Sequence, residues 1–75
     1  IDDARIYPNP GSDRFFIESS LGSSITVYNT RGEEVVSIEL SAMKQNVDIS
    51  GLSKGLYLVR IKSEGREKTE KLLVN

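Results

Sequence analysis

The sequence predicts an all-β protein, a small sandwich of two antiparallel sheets built from about seven short strands. Apolar residues recur at every second position, and no apolar stripe with helical spacing continues for more than one turn. Turn-forming residues separate these segments roughly every 8 to 12 positions, as is typical of β-sandwiches. At 75 residues the chain is below the length at which a core divides, so we expect a single domain over residues 1–75.

The first two predicted strands meet at a corner. Residues 5–7 are extended and end at residues 8–11, where two prolines fix φ and a glycine follows, so the strand ladder stops there. Residues 14–18 form the next strand. Phe15 and Ile17 share one of its faces, and we expect both to point into the core.

The next two predicted strands form a hairpin in the middle of the chain, over residues 24–29 and 34–40. Gly32 lies between them and can adopt the positive φ that such a turn requires. Alternation places the apolar residues of each strand on one face. These inward residues are Ile25 and Val27 in the first strand, and Val36, Ile38 and Leu40 in the second.

Three more strands complete the chain. A short strand around Val47 and Ile49 ends at a serine and a glycine, and residues 56–63 form the cleanest strand, which we expect to be central. The turn at residues 64–65 leads into residues 67–74, which have no apolar face until their last positions and therefore predict an edge strand. The inward residues of the central strand are Tyr57, Val59 and Ile61.

Composition excludes several classes of function. The chain has no cysteine and no histidine, which excludes disulfides, zinc sites, thiol nucleophiles and imidazole acid–base chemistry. Its net charge of −1 argues against nucleic acid as a partner. No apolar run approaches the roughly 20 residues that span a bilayer. We therefore expect a binding or structural module without a cofactor, and not an enzyme.

Oxygen-bearing and aromatic side chains are the remaining candidates for a binding site. A Ca²⁺ site would need the residues with side-chain oxygen ligands near the proline corner, but no calcium-loop spacing joins them, and solvated surface is the favoured interpretation. Those residues are Asp2, Asp3, Asn9 and Asp13. Phe16 is expected to face outward, and a single exposed aromatic residue is more often ordinary surface than a contact site.

The last predicted strand allows two interpretations. Its charges at Lys68 and Lys71 are typical of edge strands that avoid aggregation, which is the simpler explanation. The same edge can accept a strand from a partner through main-chain hydrogen bonds. Strand exchange between two copies is a further alternative, so a homodimer of the isolated domain is one expected outcome.

Three stretches in series extend over nearly the whole chain. The first holds a Tyr-Pro-Asn-Pro corner, the second an Asn-Thr-Arg-Gly turn, and the third a Leu-Ser-Lys-Gly-Leu-Tyr segment that enters a strand. The residues that carry them are Pro8, Asn9, Pro10, Gly32, Leu52, Gly55 and Tyr57, with Lys71, Leu72, Leu73 and Val74 at the end. Their order and spacing resemble the C-terminal sorting domain of the type IX (Por) secretion system of Bacteroidetes.

The resemblance implies an immunoglobulin-like Greek-key sandwich that is a non-catalytic secretion signal at the end of a larger cargo protein. It implies an outer-membrane translocon, a shuttle protein and a sortase as partners. The cargo would pass through the periplasm and reach the outer membrane, the cell surface or the medium. A cut ahead of the domain, here upstream of Ile1 or near Asp2 and Asp3, usually precedes attachment of the cargo to the surface. The lack of an initiator methionine also favours a fragment of a longer protein.

Within that resemblance, we expect the corner, turn and core positions of the motif to serve the scaffold. The expected recognition segment is the terminal strand, read by the translocon through strand addition. Its residues are Lys68, Lys71, Leu72, Leu73 and Val74. The chain ends at Asn75, whereas family members often end with a basic residue. Loss of export on deletion of residues 72–75 from a reporter fusion would support this assignment.

The alternative function is an immunoglobulin-like accessory module that binds carbohydrate or spaces a catalytic domain from a surface. Specific binding on a glycan array, without an effect of the domain on export, would favour this module. Export lost on deletion, without a sugar ligand, would favour the secretion signal.

Overall fold

Seven strands make up the computed structural model of the chain, which describes residues 4–7, 13–19 and 22–75. They are β1 (Arg5–Tyr7), β2 (Arg14–Glu18), β3 (Ser24–Tyr28), β4 (Glu34–Glu39), β5 (Lys44–Asp48), β6 (Gly55–Ser63) and β7 (Arg66–Val74). A three-stranded sheet has the order β1-β2-β5, and a four-stranded sheet has the order β4-β3-β6-β7. In the described part of the chain, no helix has the length and apolar character needed to cross a membrane.

The predicted all-β architecture of two antiparallel sheets is confirmed. β6 lies between β3 and β7, as expected of a central strand, and β7 borders the four-stranded sheet, as expected of an edge. β6 and β7 are also the longest strands, with nine residues each. Their register runs from Ser63 opposite Arg66 at the turn to Gly55 opposite Val74 at the far end.

The observed strand bounds differ most from the predicted ones at β5. The prediction centred this strand on Val47 and Ile49, whereas β5 covers Lys44–Asp48 and Ile49 lies just beyond it. Pairing decides the difference, because each of the five residues of β5 lies opposite a residue of β2. Polar residues thus extend the strand where no apolar alternation signals it.

The core lies between the sheets and contains most of the predicted inward residues. Val36 and Ile38 are only half-buried, because β4 is the second border strand of its sheet. Leu72 and Val74 add the end of β7 to the core. The buried apolar residues are Ala4, Phe15, Ile17, Ile25, Val27, Leu40, Val47, Ile49, Tyr57, Val59, Ile61, Leu72 and Val74.

Positive φ angles occur at two turns that the sequence predicts. Gly32 has a φ of 85° between β3 and β4. Between β6 and β7, Glu64 has a φ of 51° and Gly65 a φ of 80°. Two consecutive positive φ angles are typical of a type I′ hairpin turn, whose twist matches that of the flanking strands. This turn holds β7 in register against β6.

The Tyr57 side chain joins the core to the loop ahead of β6. It is buried, and its hydroxyl donates a hydrogen bond to the main-chain oxygen of Ser53 at 2.7 Å. We expect Tyr57→Phe to lower the free energy of unfolding by about 0.5 to 1.5 kcal/mol, because it removes one side of this hydrogen bond. Urea unfolding measures the loss, with Tyr28→Phe on the outer face as the control. Equal losses in the two variants would contradict this role of the Tyr57 hydroxyl.

Several predicted features lie outside the described residues. They are the proline corner at residues 8–11, the acidic pair Asp2 and Asp3, and the expected cleavage position. Among the residues that the structure describes, which include Asp13, no group of three or more His, Cys, Asp and Glu side chains could hold a metal ion.

Candidate functional site

The β6–β7 hairpin displays the terminal strand at the border of the four-stranded sheet. Side chains of β7 alternate between the two faces of this sheet. Leu72 and Val74 point into the core and are 0% and 3% exposed, whereas Leu73 between them is 44% exposed on the outer face. The strand is therefore anchored by two of its last apolar residues and displays the third.

Three leucines form an apolar patch on this outer face. Leu56 lies directly opposite Leu73, and Leu58 follows two residues later on the same face of β6. We call Leu56, Leu58 and Leu73 the outer leucine patch, and all three are exposed. Tyr28 lies opposite Leu58 on β3 and extends the apolar surface toward the middle of the sheet.

Charged residues occupy most of the remaining outer face of the hairpin. The guanidinium of Arg60 lies 5.3 Å from the centre of the Tyr28 ring, and its Nε lies 3.4 Å from Glu67 Oε1. Lys71 lies opposite Leu58, and Lys62 lies opposite Glu67. The hairpin face is thus apolar near the end of β7 and carries three cations against one carboxylate along the rest of its length.

Lys68 lies on the face of β7 opposite to Leu73 and joins the strand to the chain ahead of β1. Its Nζ donates a hydrogen bond to the main-chain oxygen of Ala4 at 2.7 Å and lies 3.2 Å from Glu70 Oε1. Ala4 itself is buried. Because Ala4 precedes the three-stranded sheet and Lys68 belongs to the four-stranded one, this contact holds the two sheets together along one side.

The five residues predicted for recognition therefore lie in three different environments. Leu72 and Val74 are core residues. Lys68 is half-buried and bonded within the domain. Lys71 and Leu73 are exposed on the outer face of the sheet.

The described residues of the sequence motif lie in a turn, at the start of β6, and in or against the core. Gly32 and Gly55 have positive φ angles of 85° and 145°. Tyr57 belongs to the core, and Leu52 is half-buried against it. Turn and core positions act mainly through packing, and a scaffold role of the motif stays a prediction.

A second cluster lies on the outer face of the three-stranded sheet. Tyr7 and Phe16 lie opposite each other on β1 and β2, and their ring centres are 5.7 Å apart. Lys44 Nζ lies 5.7 Å from the centre of the Tyr7 ring and 5.6 Å from the centre of the Phe16 ring. The guanidinium of Arg5 lies 5.6 Å from the centre of the Tyr7 ring. Phe16, predicted to face outward, is therefore half of an aromatic pair beneath two cations.

Glu18 fixes the position of the Tyr7 ring in this cluster. The Tyr7 hydroxyl donates a hydrogen bond to Glu18 Oε2, and Arg5 Nη2 lies 3.4 Å from Glu18 Oε1. The Tyr7 hydrogen bond is the main cause that lowers the pKa of Glu18; Arg5 and Lys44 lower it further, and burial opposes them.

We expect Tyr7→Phe to raise the pKa of Glu18 toward its ordinary value. A carboxyl whose pKa is lowered by folding stabilises the fold above its unfolded pKa, about 4.3, and this contribution is lost as the pH falls through the folded pKa. The variant should therefore lose less stability than the parent protein below about pH 4.3. Carbon-13 NMR titration of the Glu18 carboxyl measures the shift, with Tyr28→Phe as the control, and an unchanged pKa in Tyr7→Phe would contradict the assignment.

Two members of the outer leucine patch are not among the residues predicted for recognition. Leu56 and Leu58 occupy outward positions of a strand whose other face is clearly apolar, and such residues mark exposed apolar surface. That signal is present in the sequence. The register of β7 against β6 is what places Leu73 beside them.

Comparison with known proteins gives a consistent family match. The sequence profile of a family described as "secretion system C-terminal sorting domain" matches residues 5–75. Beta-agarase A of Zobellia galactanivorans is 31% identical over 62 residues, which cover 79% of this chain and 12% of the agarase. Beta-agarase D of the same organism is 31% identical over 72 residues, which cover 95% of this chain and 15% of that agarase. The chain thus spans a small part of both relatives.

A solved structure shares the fold. It is that of PorZ, described as an essential bacterial surface component of the type-IX secretion system of Porphyromonas gingivalis. The TM-score is 0.78 at 20% sequence identity, and the likeness covers 99% of this chain and 12% of the PorZ chain.

Proposed function

This chain belongs to the family of secretion system C-terminal sorting domains, and on that premise we propose that it directs a larger protein through the outer membrane by the type IX secretion system. The match over residues 5–75 carries the proposal, because it includes all seven strands. The destination in this proposal is the outer membrane, the cell surface or the medium.

We place the chain in a longer cargo protein, as one folded unit over residues 1–75. The chain spans 12% of beta-agarase A and 15% of beta-agarase D, which supports a small tail attached to a large enzyme. A secreted polysaccharide-degrading enzyme is the class of cargo that these relatives favour. The tail itself has no catalytic role in this proposal.

The proposed partners are an outer-membrane translocon, a shuttle protein and a sortase. The cargo crosses the periplasm, and a cut ahead of the domain releases it for attachment at the cell surface. Two contacts of the domain begin just after that position: Ala4 is buried, and its main-chain oxygen accepts the hydrogen bond from Lys68. A cut ahead of Ala4 would therefore leave this contact and all seven strands intact.

Recognition in this proposal falls on β7. The strand is anchored in the core by Leu72 and Val74. It is joined to the chain ahead of β1 by the hydrogen bond from Lys68 to Ala4. Lys71 and Leu73 offer their side chains on the outer face. Strand addition along β7 stays a prediction from the sequence.

Export of a reporter tests the proposed function. A periplasmic reporter is fused ahead of residues 1–75 and expressed in a bacterium that has a type IX secretion system. We expect the reporter at the cell surface or in the medium, and we expect it to stay in the periplasm in a matched strain without the translocon. Equal export of the reporter without the tail would contradict the proposal.

The aromatic pair of Tyr7 and Phe16 favours a second candidate function, the accessory module that binds carbohydrate. Aromatic rings on an outer sheet face can stack on the apolar faces of sugar rings. A glycan array with the isolated chain and with Phe16→Ala tests this function. Specific binding that Phe16→Ala abolishes, together with export that does not depend on the tail, would favour the accessory module over the export signal.

A further inference from the structure

We propose that the outer leucine patch is the docking surface for a protein of the export machinery, one whose contact surface is apolar at its centre and acidic at its border. This inference rests on the proposed function. It extends the recognition surface beyond the terminal strand to Leu56 and Leu58 of the central strand β6.

Neighbouring exposed leucines are the first observation behind this inference. Single exposed apolar residues are ordinary, whereas a contiguous group of them marks an interaction site. Leu56, Leu58 and Leu73 are 43%, 38% and 44% exposed. Leu56 and Leu73 are direct cross-strand neighbours, and Leu58 lies diagonal to Leu73, so the three side chains form one surface.

The patch is also held in place at both ends of the hairpin by contacts within the domain. The type I′ turn at Glu64 and Gly65 fixes the hairpin at one end. At the other end, Leu72 and Val74 are buried on either side of Leu73. A surface that is already ordered loses little conformational entropy on binding, which favours docking of the folded domain as it stands.

The charge on the outer face of the hairpin indicates the kind of partner. Its outer face carries three cations and one carboxylate, which are Arg60, Lys62, Lys71 and Glu67. Complementary charge at the border of an interface speeds association and excludes wrong partners. A second copy docked patch to patch would bring the cations of two hairpins together, and this repulsion favours a different protein with an acidic border.

Single substitutions in the reporter fusion test the patch. The variants are Leu56→Glu, Leu58→Glu and Leu73→Glu, and the matched control is Met43→Glu, because Met43 is 66% exposed in the connection between β4 and β5. We expect each leucine variant to lower the exported fraction about tenfold or more, as for a charge placed at the centre of an apolar interface. We expect Met43→Glu to export like the parent fusion.

Melting curves of the purified chain separate docking from folding. The three positions are partly exposed, so we expect each variant to melt at most about 4 to 8 °C below the parent chain, the shift for a loss of 1 kcal/mol in a domain of this size. If a glutamate variant melts earlier still, threonine at the same position replaces it, because threonine is polar and favoured in strands. Loss of export in a variant that melts within this limit supports the docking surface.

Three results would overturn the inference. One is normal export of both the leucine variants and the parent tail. This result would contradict the docking surface but not the proposed function. Another is an equal loss in Met43→Glu. A third is a concentration-dependent dimer in sedimentation that Leu73→Glu abolishes, since this would assign the patch to a second copy. Failure of the parent tail to export the reporter would instead count against the proposed function itself.

A charge reversal tests the acidic border. We expect Lys62→Glu to lower the exported fraction severalfold, because it places a carboxylate opposite the acidic surface of the partner. The matched control is Glu39→Lys on β4, which lies in the same sheet but outside the hairpin. Unchanged export in Lys62→Glu would overturn the acidic character assigned to the partner.

Discussion

Replacing Leu72 with alanine is expected to lower the free energy of unfolding by about 2 to 5 kcal/mol, the range for a leucine truncated inside a core. Leu72 is fully buried between the sheets, so its removal leaves a cavity that the rigid strands cannot fill. A chain of this size is stable by roughly 4 to 11 kcal/mol in total. The variant should therefore be close to unfolding, which a shift in the urea midpoint measures.

Leu73→Ala is the matched control, since it makes the same change one residue further along β7. Leu73 faces solvent and shares the outer face with Leu56, so its truncation should cost only about 0.2 to 1 kcal/mol, as for one cross-strand pair. Equal losses in Leu72→Ala and Leu73→Ala would show that β7 does not alternate as described.

This contrast changes how the terminal strand must be tested for export. Deletion of residues 72–75 removes two buried side chains, Leu72 and Val74. A loss of export on deletion therefore has two possible causes, the loss of the recognition segment and the unfolding of the domain. Substitutions on the outer face, such as Leu73→Glu, leave the core side chains in place and separate the two causes.

Replacing Gly55 with alanine is expected to lower the free energy of unfolding by about 1 to 3 kcal/mol, the cost of holding a non-glycine residue in an unfavourable backbone conformation. Gly55 begins β6 with a φ of 145°, a region that favours glycine. A Cβ at this position would meet no atom within 4 Å, so the whole cost comes from the backbone.

Gly51→Ala is the control for this prediction. A Cβ on Gly51 also meets nothing within 4 Å, and its φ lies outside the region that favours glycine. Alanine there should be neutral or should stabilise the domain by about 0.4 to 1 kcal/mol, because it restricts the unfolded chain. Urea unfolding of both variants measures the difference, and similar effects at the two glycines would exclude a backbone origin.

Much of the fold could be predicted because its determinants are local. The alternation of Phe15 and Ile17, or of Tyr57, Val59 and Ile61, identifies a strand and its inward face without knowledge of any partner. The start of β5 could not be predicted in this way. Its polar residues become a strand because β2 lies beside them, and that neighbour is not visible from the local pattern.

The candidate site could be predicted only in part, for the same reason. The exposed position of Leu73 follows from alternation along β7, but its membership of a patch depends on Leu56 and Leu58 across the hairpin. Lys68 has a charge typical of an edge strand. Its observed role is a hydrogen bond to Ala4, which no pattern within β7 predicts.

Local residue identity predicts the strands other than β5, their inward faces, the tight turns and the absence of cysteine and histidine chemistry, because each of these depends on residues within a few positions. The pairing of β7 with β6 places Leu73 beside Leu56 and Leu58, and the packing of the two sheets brings Lys68 to Ala4 along one side of the domain. Those properties depend on residues far apart in the chain, such as Ala4 and Lys68 at a separation of 64 positions. Such residues meet only when the strands have paired and the sheets have packed.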